Sequence, residues 1–86
     1  MANPLTFRQR AKMHDKEVTA FDKMAKLQMQ AANDAFAPLN NQSTIAEWAA
    51  VVALFEKAHA YDRESASHAT QRDAYNAEAD AAGEAP

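Results

Sequence analysis

The sequence predicts an all-α fold: an antiparallel two-helix hairpin that dimerises into a four-helix bundle. Three observations support this prediction. Helix breakers stand only at the ends of the predicted elements, since the one glycine is Gly83 and the three prolines are Pro4, Pro38 and Pro86. Both long segments open with a helix-capping pattern. Alanine, the best helix former, occurs 22 times and allows helices to approach closely.

The first helix is predicted over about residues 6–36. Two starts are possible: Asn3 before a proline is a typical N-cap, and Thr6 with Gln9 three residues later forms a capping box. The helix is expected to end before Pro38, because a proline disfavours helical geometry at the residue that precedes it.

A turn over residues 37–43 leads to a second predicted helix over about residues 44–82. Thr44, with a glutamate three residues later, is a second capping box. Gly83 is expected to cap the C-terminus, since glycine readily takes the left-handed conformation that ends many helices. Residues 83–86 are expected to fray. The chain thus forms one helical-hairpin domain.

The two helices carry opposite charge, which favours antiparallel pairing. Residues 1–30 have six cations and three acids, a net of +3, and residues 31–86 have nine acids and three cations, a net of −6, which together give the −3 of the chain. A regular hairpin about this turn places Arg8 near Asp73. The longer second helix is expected to overhang the first or to bend near Asp62.

The first helix has more apolar surface than a hairpin needs. On a helical wheel its apolar arc spans about 200°, whereas packing against one neighbour needs only about 100°. The second helix adds an apolar seam with the seven-residue repeat of a coiled coil. We therefore expect a homo-oligomer. The predicted subunit contacts are Phe7, Met13, Val18, Phe21, Met24, Leu54, Tyr61, His68 and Tyr75.

The polar arc of the first helix is a basic stripe, which we predict to bind a partner. Its cations are Arg8, Lys12, Lys16, Lys23 and Lys26. A one-sided basic stripe suits an acidic protein, a nucleic acid or another anionic ligand, and it equally suits a solvated face. Nucleic acid is disfavoured because the stripe has no aromatic side chain for base stacking and the chain is acidic overall.

Polar residues interrupt the apolar arc of the first helix. Arg10, His14 and Glu17 are spaced i, i+4 and i+7 and therefore share one strip. Charged groups in a buried seam must be paired. The strip is expected either to set the register between subunits or to recognise a partner, with His14 as a pH-sensitive contact.

Glu56 and His59 form a Glu-x-x-His pair, the spacing with which some helical bundles hold iron. Such a site needs further carboxylates that face inward, and the spacing arises readily by chance in a helix rich in acids. We therefore expect no cofactor and keep a metal-binding bundle as an alternative.

The composition argues against an enzyme. The chain has no cysteine, which excludes disulfides and thiol chemistry, and a single glycine, which excludes a glycine-rich phosphate loop. Its serines and histidines show no triad arrangement. No run approaches the roughly 20 apolar residues of a membrane span, and the start lacks the apolar core of a secretory signal. A cytoplasmic location is expected.

These features together favour a small protein–protein interaction module. An alanine-rich domain without catalytic features suits an adaptor, a regulator or an inhibitor that occludes a site on another protein, such as an accessory protein of a mobile element. Binding of nucleic acid or an anionic ligand through the basic stripe is the first alternative. Metal binding at Glu56 and His59 is the second.

Overall fold

The computed structural model describes residues 4–86 and contains two helices, α1 (Phe7–Phe36) and α2 (Ile45–Ala81). They pack against each other as an antiparallel hairpin of 62 × 26 × 15 Å. The prediction of an all-α helical hairpin is confirmed, and dimerisation into a four-helix bundle stays a prediction. The alternative start at Asn3 lies outside the described residues.

Local capping chemistry sets both ends of α1. The Thr6 hydroxyl accepts a hydrogen bond from the Gln9 amide, and the Gln9 side chain accepts one from the Thr6 amide, which completes the predicted capping box. At the other end Ala37 keeps helical angles, and its amide donates to the Asn33 carbonyl. The expectation that Pro38 disfavours helical geometry at Ala37 is therefore wrong. The proline stops the helix because it has no amide to continue the hydrogen-bond ladder.

Side chains of the turn satisfy its backbone. The Asn40 amide donates to the Ser43 hydroxyl, and the Gln42 amide donates to the Asn40 side-chain oxygen, as in an Asx turn. Thr44 then caps α2 by accepting from the Glu47 amide. The predicted capping box is only half formed, since in the described residues the Thr44 amide makes no bond to the Glu47 side chain. The helix continues without interruption to Ala81.

The C-terminus of α2 ends in a Schellman motif around Gly83. This glycine has φ of 73°, a conformation that costs an L side chain energy but suits glycine. The Glu84 amide donates to the Ala79 carbonyl, and the Gly83 amide donates to the Asp80 carbonyl. The predicted glycine cap is thus confirmed, and it turns the chain back toward the start of α1.

The core is a seam of small residues, which we call the alanine seam. Its members are Ala11, Ala25 and Ala32 on α1 and Val51, Ala58, Ser65 and Ala79 on α2. Within each helix, successive members of the seam are separated by seven positions or by fourteen, as in the heptad repeat of a coiled coil. No large side chain among residues 4–86 is fully buried. The two backbones therefore approach closely and leave little room for bulky groups between them.

Six half-buried rings line one side of the alanine seam and alternate between the helices. In order, this ring ladder contains Phe7, Tyr75, His14, His68, Phe21 and Tyr61. The centroids of neighbouring rings lie 5.1–6.4 Å apart, within the range of favourable aromatic pairs. The ring ladder supplies the contacts between large side chains that the alanine seam lacks.

The register of the hairpin differs from the one that a regular turn predicts. Arg8 pairs with Asp80 and not with Asp73, at 2.8 Å between Nη2 and Oδ1. The first turn of α2 projects past the end of α1, since Ile45 is 89% exposed. The two helices are therefore not placed symmetrically about the turn. Each residue of α1 faces a residue of α2 that lies later in the sequence than a regular turn predicts.

Replacing Ala58 by leucine is expected to lower the free energy of unfolding by about 1–3 kcal/mol, the usual cost of overpacking. Ala58 is fully buried, so a longer side chain must push the helices apart. Urea denaturation followed by circular dichroism measures the change. The matched control is Ala53→Leu at an exposed position of α2. Equal losses in the two variants would contradict the packing.

Candidate functional site

A cluster of polar contacts, which we call the end clamp, closes the open end of the hairpin around Arg8. Its guanidinium donates from Nη1 to the Asn76 side chain at 2.9 Å and from Nη2 to Asp80 at 2.8 Å. Its Nε donates to the Ala85 carbonyl at 3.2 Å. Arg8, which the sequence assigns to partner binding, is therefore engaged by its own chain.

Glu84 completes the end clamp as a second cap on α1. Its two carboxylate oxygens accept from the amides of Phe7 and Arg8, at 3.2 and 3.1 Å. These amides belong to the first turn of the helix, which has no intrahelical partner for them. The negative charge also lies at the positive end of the helix dipole. The segment 83–86, for which the sequence predicts fraying, thus carries a tertiary contact.

His14 and His68 meet near the middle of the ring ladder. Their Nδ1 atoms are 2.8 Å apart, so one ring donates a proton and the other accepts it. Both rings also stack on aromatic neighbours, His14 on Tyr75 and His68 on Phe21. The sequence assigns His14 to a partner and His68 to a subunit contact, and the structure pairs them within one chain.

A cavity of about 230 Å³ lies beside this pair, toward the open end of the hairpin. Its lining residues are Leu5, Arg10, Met13, His14, Glu17, His68 and Tyr75. The guanidinium carbon of Arg10 is 5.8 Å from the ring centroids of both Phe7 and Tyr75. The predicted strip of Arg10, His14 and Glu17 therefore forms one wall of a cavity, and α2 supplies the opposite wall.

Large apolar side chains of α1 remain exposed on the same flank. We call Met13, Met24 and Leu27 the α1 stripe, and their exposed fractions are 56%, 41% and 59%. The sequence predicts a second contact surface because the apolar arc is wider than one neighbour can cover. Part of that arc does stay exposed in a single hairpin, and α2 covers the rest.

A second exposed apolar surface lies at the other end of the molecule, next to the turn. This turn-end patch comprises Phe36, Ile45, Trp48 and Val52. The Phe36 ring meets Trp48 edge-on, with centroids 6.0 Å apart, and meets Phe55 in the same way at 6.3 Å. Sequence reasoning missed this patch as a site. The signal was present in the i, i+3, i+7 spacing of Ile45, Trp48 and Val52 at the start of α2.

The four lysines of the basic stripe are exposed. They are Lys12, Lys16, Lys23 and Lys26, and no carboxylate within residues 4–86 lies within 4.0 Å of them. The neighbouring acids are engaged elsewhere: Asp15 binds Arg72, and Asp22 accepts from the Ser65 hydroxyl. Hydrogen bonds to Asp15 and Asp73 raise the pKa of Arg72.

Most residues assigned to subunit contacts serve the hairpin itself. Phe7, Phe21, Tyr61, His68 and Tyr75 belong to the ring ladder, and Val18 and Leu54 are half-buried. Met13 and Met24 are the members that remain exposed. Their contact with a second subunit stays a prediction.

The Glu-x-x-His pair lies on the surface of α2, without further metal-binding side chains grouped around it in the described residues. Both Glu56 and His59 are exposed. Over residues 4–86 there is no group of three or more His, Asp or Glu side chains placed to hold a metal ion. Neither helix of the described chain is long and apolar enough to cross a membrane.

Replacing Glu84 by glutamine is expected to lower the free energy of unfolding by about 0.5–2 kcal/mol, because it removes a charged cap from α1. The amides of Phe7 and Arg8 should then exchange faster with solvent deuterium. Glu78→Gln, at an exposed site of α2, is the control and should leave their exchange unchanged. If these amides already exchange as fast in the unaltered chain, the tail is frayed and the end clamp is not formed in solution.

No protein-family model, curated protein sequence or solved structure is significantly similar to this chain. A function must therefore be inferred from the surfaces and contacts described above. Those features are two exposed apolar surfaces, one small cavity with an arginine at its edge, and a stripe of exposed lysines.

Proposed function

We propose that this chain is a small non-enzymatic protein–protein interaction module that binds its partner through the turn-end patch. The observation that carries this proposal is the exposure of the four large apolar side chains of the turn-end patch, Trp48 among them. Small soluble domains rarely expose such a contiguous cluster unless another molecule covers it. Tryptophan is also the residue type most enriched among those that dominate binding energy at interfaces.

The form of the patch suggests how a partner engages it. Ile45, Trp48 and Val52 are spaced i, i+3 and i+7 along α2, so they project from one face of the helix. Helices that bind into apolar grooves present anchors at this spacing. The partner is therefore a protein with an apolar groove, which the first two turns of α2 fill. Such a contact suits an adaptor, a regulator or an inhibitor that occludes the groove.

Support for the patch as a binding surface also comes from the contacts that join the two helices beneath it. Phe36 packs edge-on against Trp48 and Phe55, and so joins the end of α1 to the start of α2. The side-chain oxygens of Ser43 and Asn40 stabilise the turn between them by accepting hydrogen bonds from its backbone amides. A preformed surface loses less conformational freedom when it binds.

Removing two anchors of the turn-end patch is expected to abolish partner binding. The variant is Ile45→Ser with Val52→Ser, and the assay is affinity purification from the native host. The unaltered chain should retain one dominant protein, and the variant should lose it. Loss of central apolar anchors typically weakens binding by about 2 kcal/mol or more for each hot spot, about 30-fold.

The matched control is Ala50→Ser with Ala53→Ser, at exposed positions of α2 that lie outside both the turn-end patch and the α1 stripe. This control should retain the same protein. Equal retention by both variants would contradict binding at the turn-end patch. Loss of the protein only from a variant in which Lys12, Lys16, Lys23 and Lys26 become glutamine would transfer the partner site to the basic stripe.

We further propose that a second copy of the chain covers the α1 stripe, which yields a homodimeric four-helix bundle. Sedimentation equilibrium is expected to give a dimer at micromolar concentration. Leu27→Glu should shift the equilibrium to monomer, because a charge at the centre of an apolar contact must be desolvated. Val52→Glu, on the turn-end patch, should leave the dimer intact. A stable monomer of the unaltered chain would refute the bundle.

A further inference from the structure

We propose that the cavity beside the histidine pair is a binding site for an apolar carboxylate, that is, a carboxylate group carried on an aromatic or branched aliphatic body. The site lies at the open end of the hairpin, whereas the turn-end patch lies at the other end. The inference therefore does not rest on partner binding at the turn-end patch. It shares one wall residue, Met13, with the α1 stripe that we assign to a second copy.

The size and walls of the cavity fit an aromatic ring with a short side arm. An enclosed cavity of about 150 Å³ lined by apolar side chains takes up benzene, and the present cavity is larger but open to solvent on one side. This one measures about 230 Å³. Leu5, Met13 and the Tyr75 ring contribute apolar wall, and methionine adapts its shape readily to different ligands.

Arg10 supplies the group that would hold the carboxylate. None of its guanidinium N–H groups donates to an acceptor within residues 4–86, whereas Arg8 and Arg72 each bind carboxylates of their own chain. Its position beside the rings of Phe7 and Tyr75 restrains the side chain through cation–π attraction. A planar guanidinium held in this way is suited to a two-pronged bond with a carboxylate, the strongest common form of that contact.

Glu17 makes the site directional. It lines the cavity two helical turns from Arg10, a rise of about 10 Å along α1. A ligand carboxylate is attracted to the Arg10 end and repelled from the Glu17 end, so the apolar body lies toward Met13. The rings of His14 and His68 also line the cavity. Their Nδ1 atoms are already hydrogen-bonded to each other. A ligand with one carboxylate is therefore favoured over one with two.

Two sources supply such a carboxylate: a free aryl or alkyl acid, and a peptide that ends in an apolar residue. Two probes separate these sources: phenylacetate, and the peptide acetyl-Ala-Phe with a free terminal carboxylate. Titration of the full chain followed by nuclear magnetic resonance is expected to shift the signals of Arg10 and Tyr75 saturably. Binding of phenylacetate alone assigns the site to small acids, and binding of the peptide alone assigns it to chain ends.

The decisive comparison is with the neutral analogue phenylacetamide. It has the same shape but lacks the charge, and it should bind about tenfold more weakly, as expected for loss of a charge-assisted hydrogen bond. Arg10→Gln should weaken phenylacetate binding by a similar factor. Glu17→Gln should strengthen it several-fold, because it removes the repelling charge. Lys16→Gln, on the outer face of α1, is the control and should have no effect.

Arg10→Gln also removes a cation–π contact, so its helical content is checked by circular dichroism. If that variant does not fold, the opposite effect expected of Glu17→Gln still tests the site. The proposal is overturned if neither probe shifts the signals of Arg10 and Tyr75. It is also overturned if phenylacetamide binds as tightly as phenylacetate, or if Lys16→Gln weakens binding as much as Arg10→Gln.

Discussion

The close approach of the two helices along the alanine seam is the constraint on which the rest of the structure depends. Side chains as small as those of Ala32 and Ala58 leave no space for large groups between the backbones. The rings are therefore displaced to the flank, where they form the half-buried ring ladder. Large side chains on the part of the α1 surface that does not face α2, such as Leu27, stay exposed. One packing choice thus produces both the core and the surfaces available for binding.

The two ends of the hairpin differ in chemistry, and this difference organises the possible functions. The open end is closed by polar contacts: Arg8 binds side chains of α2, and Glu84, in the tail after α2, accepts from amides in the first turn of α1. The turn end is joined by aromatic contacts around Phe36 and leaves Ile45 almost fully exposed. A polar clamp suits a part of the molecule that faces water, whereas an exposed apolar cluster suits one that another protein covers.

Opposite charge on the two helices contributes less to the fold than its prominence in the sequence suggests. Two ion pairs join the helices within residues 4–86, Arg8 with Asp80 and Arg72 with Asp15. Exposed pairs of this kind contribute only about 0–1 kcal/mol each. Antiparallel pairing is therefore set mainly by the short turn and the alanine seam. The lysines of the basic stripe make no ion pair within residues 4–86 and face solvent or an anionic partner.

The sequence by itself determined what depends on neighbouring residues: two helices, the caps at Thr6 and Thr44, and the end at Gly83. These features follow from hydrogen bonds between groups a few positions apart. It also indicated, through the width of the apolar arc, that α1 has more apolar surface than one neighbouring helix can cover. Only the tertiary structure decided the register, the end clamp, the histidine pair and the cavity around Arg10. Each of these joins residues more than 50 positions apart, and their distance depends on how closely the alanine seam lets the backbones approach.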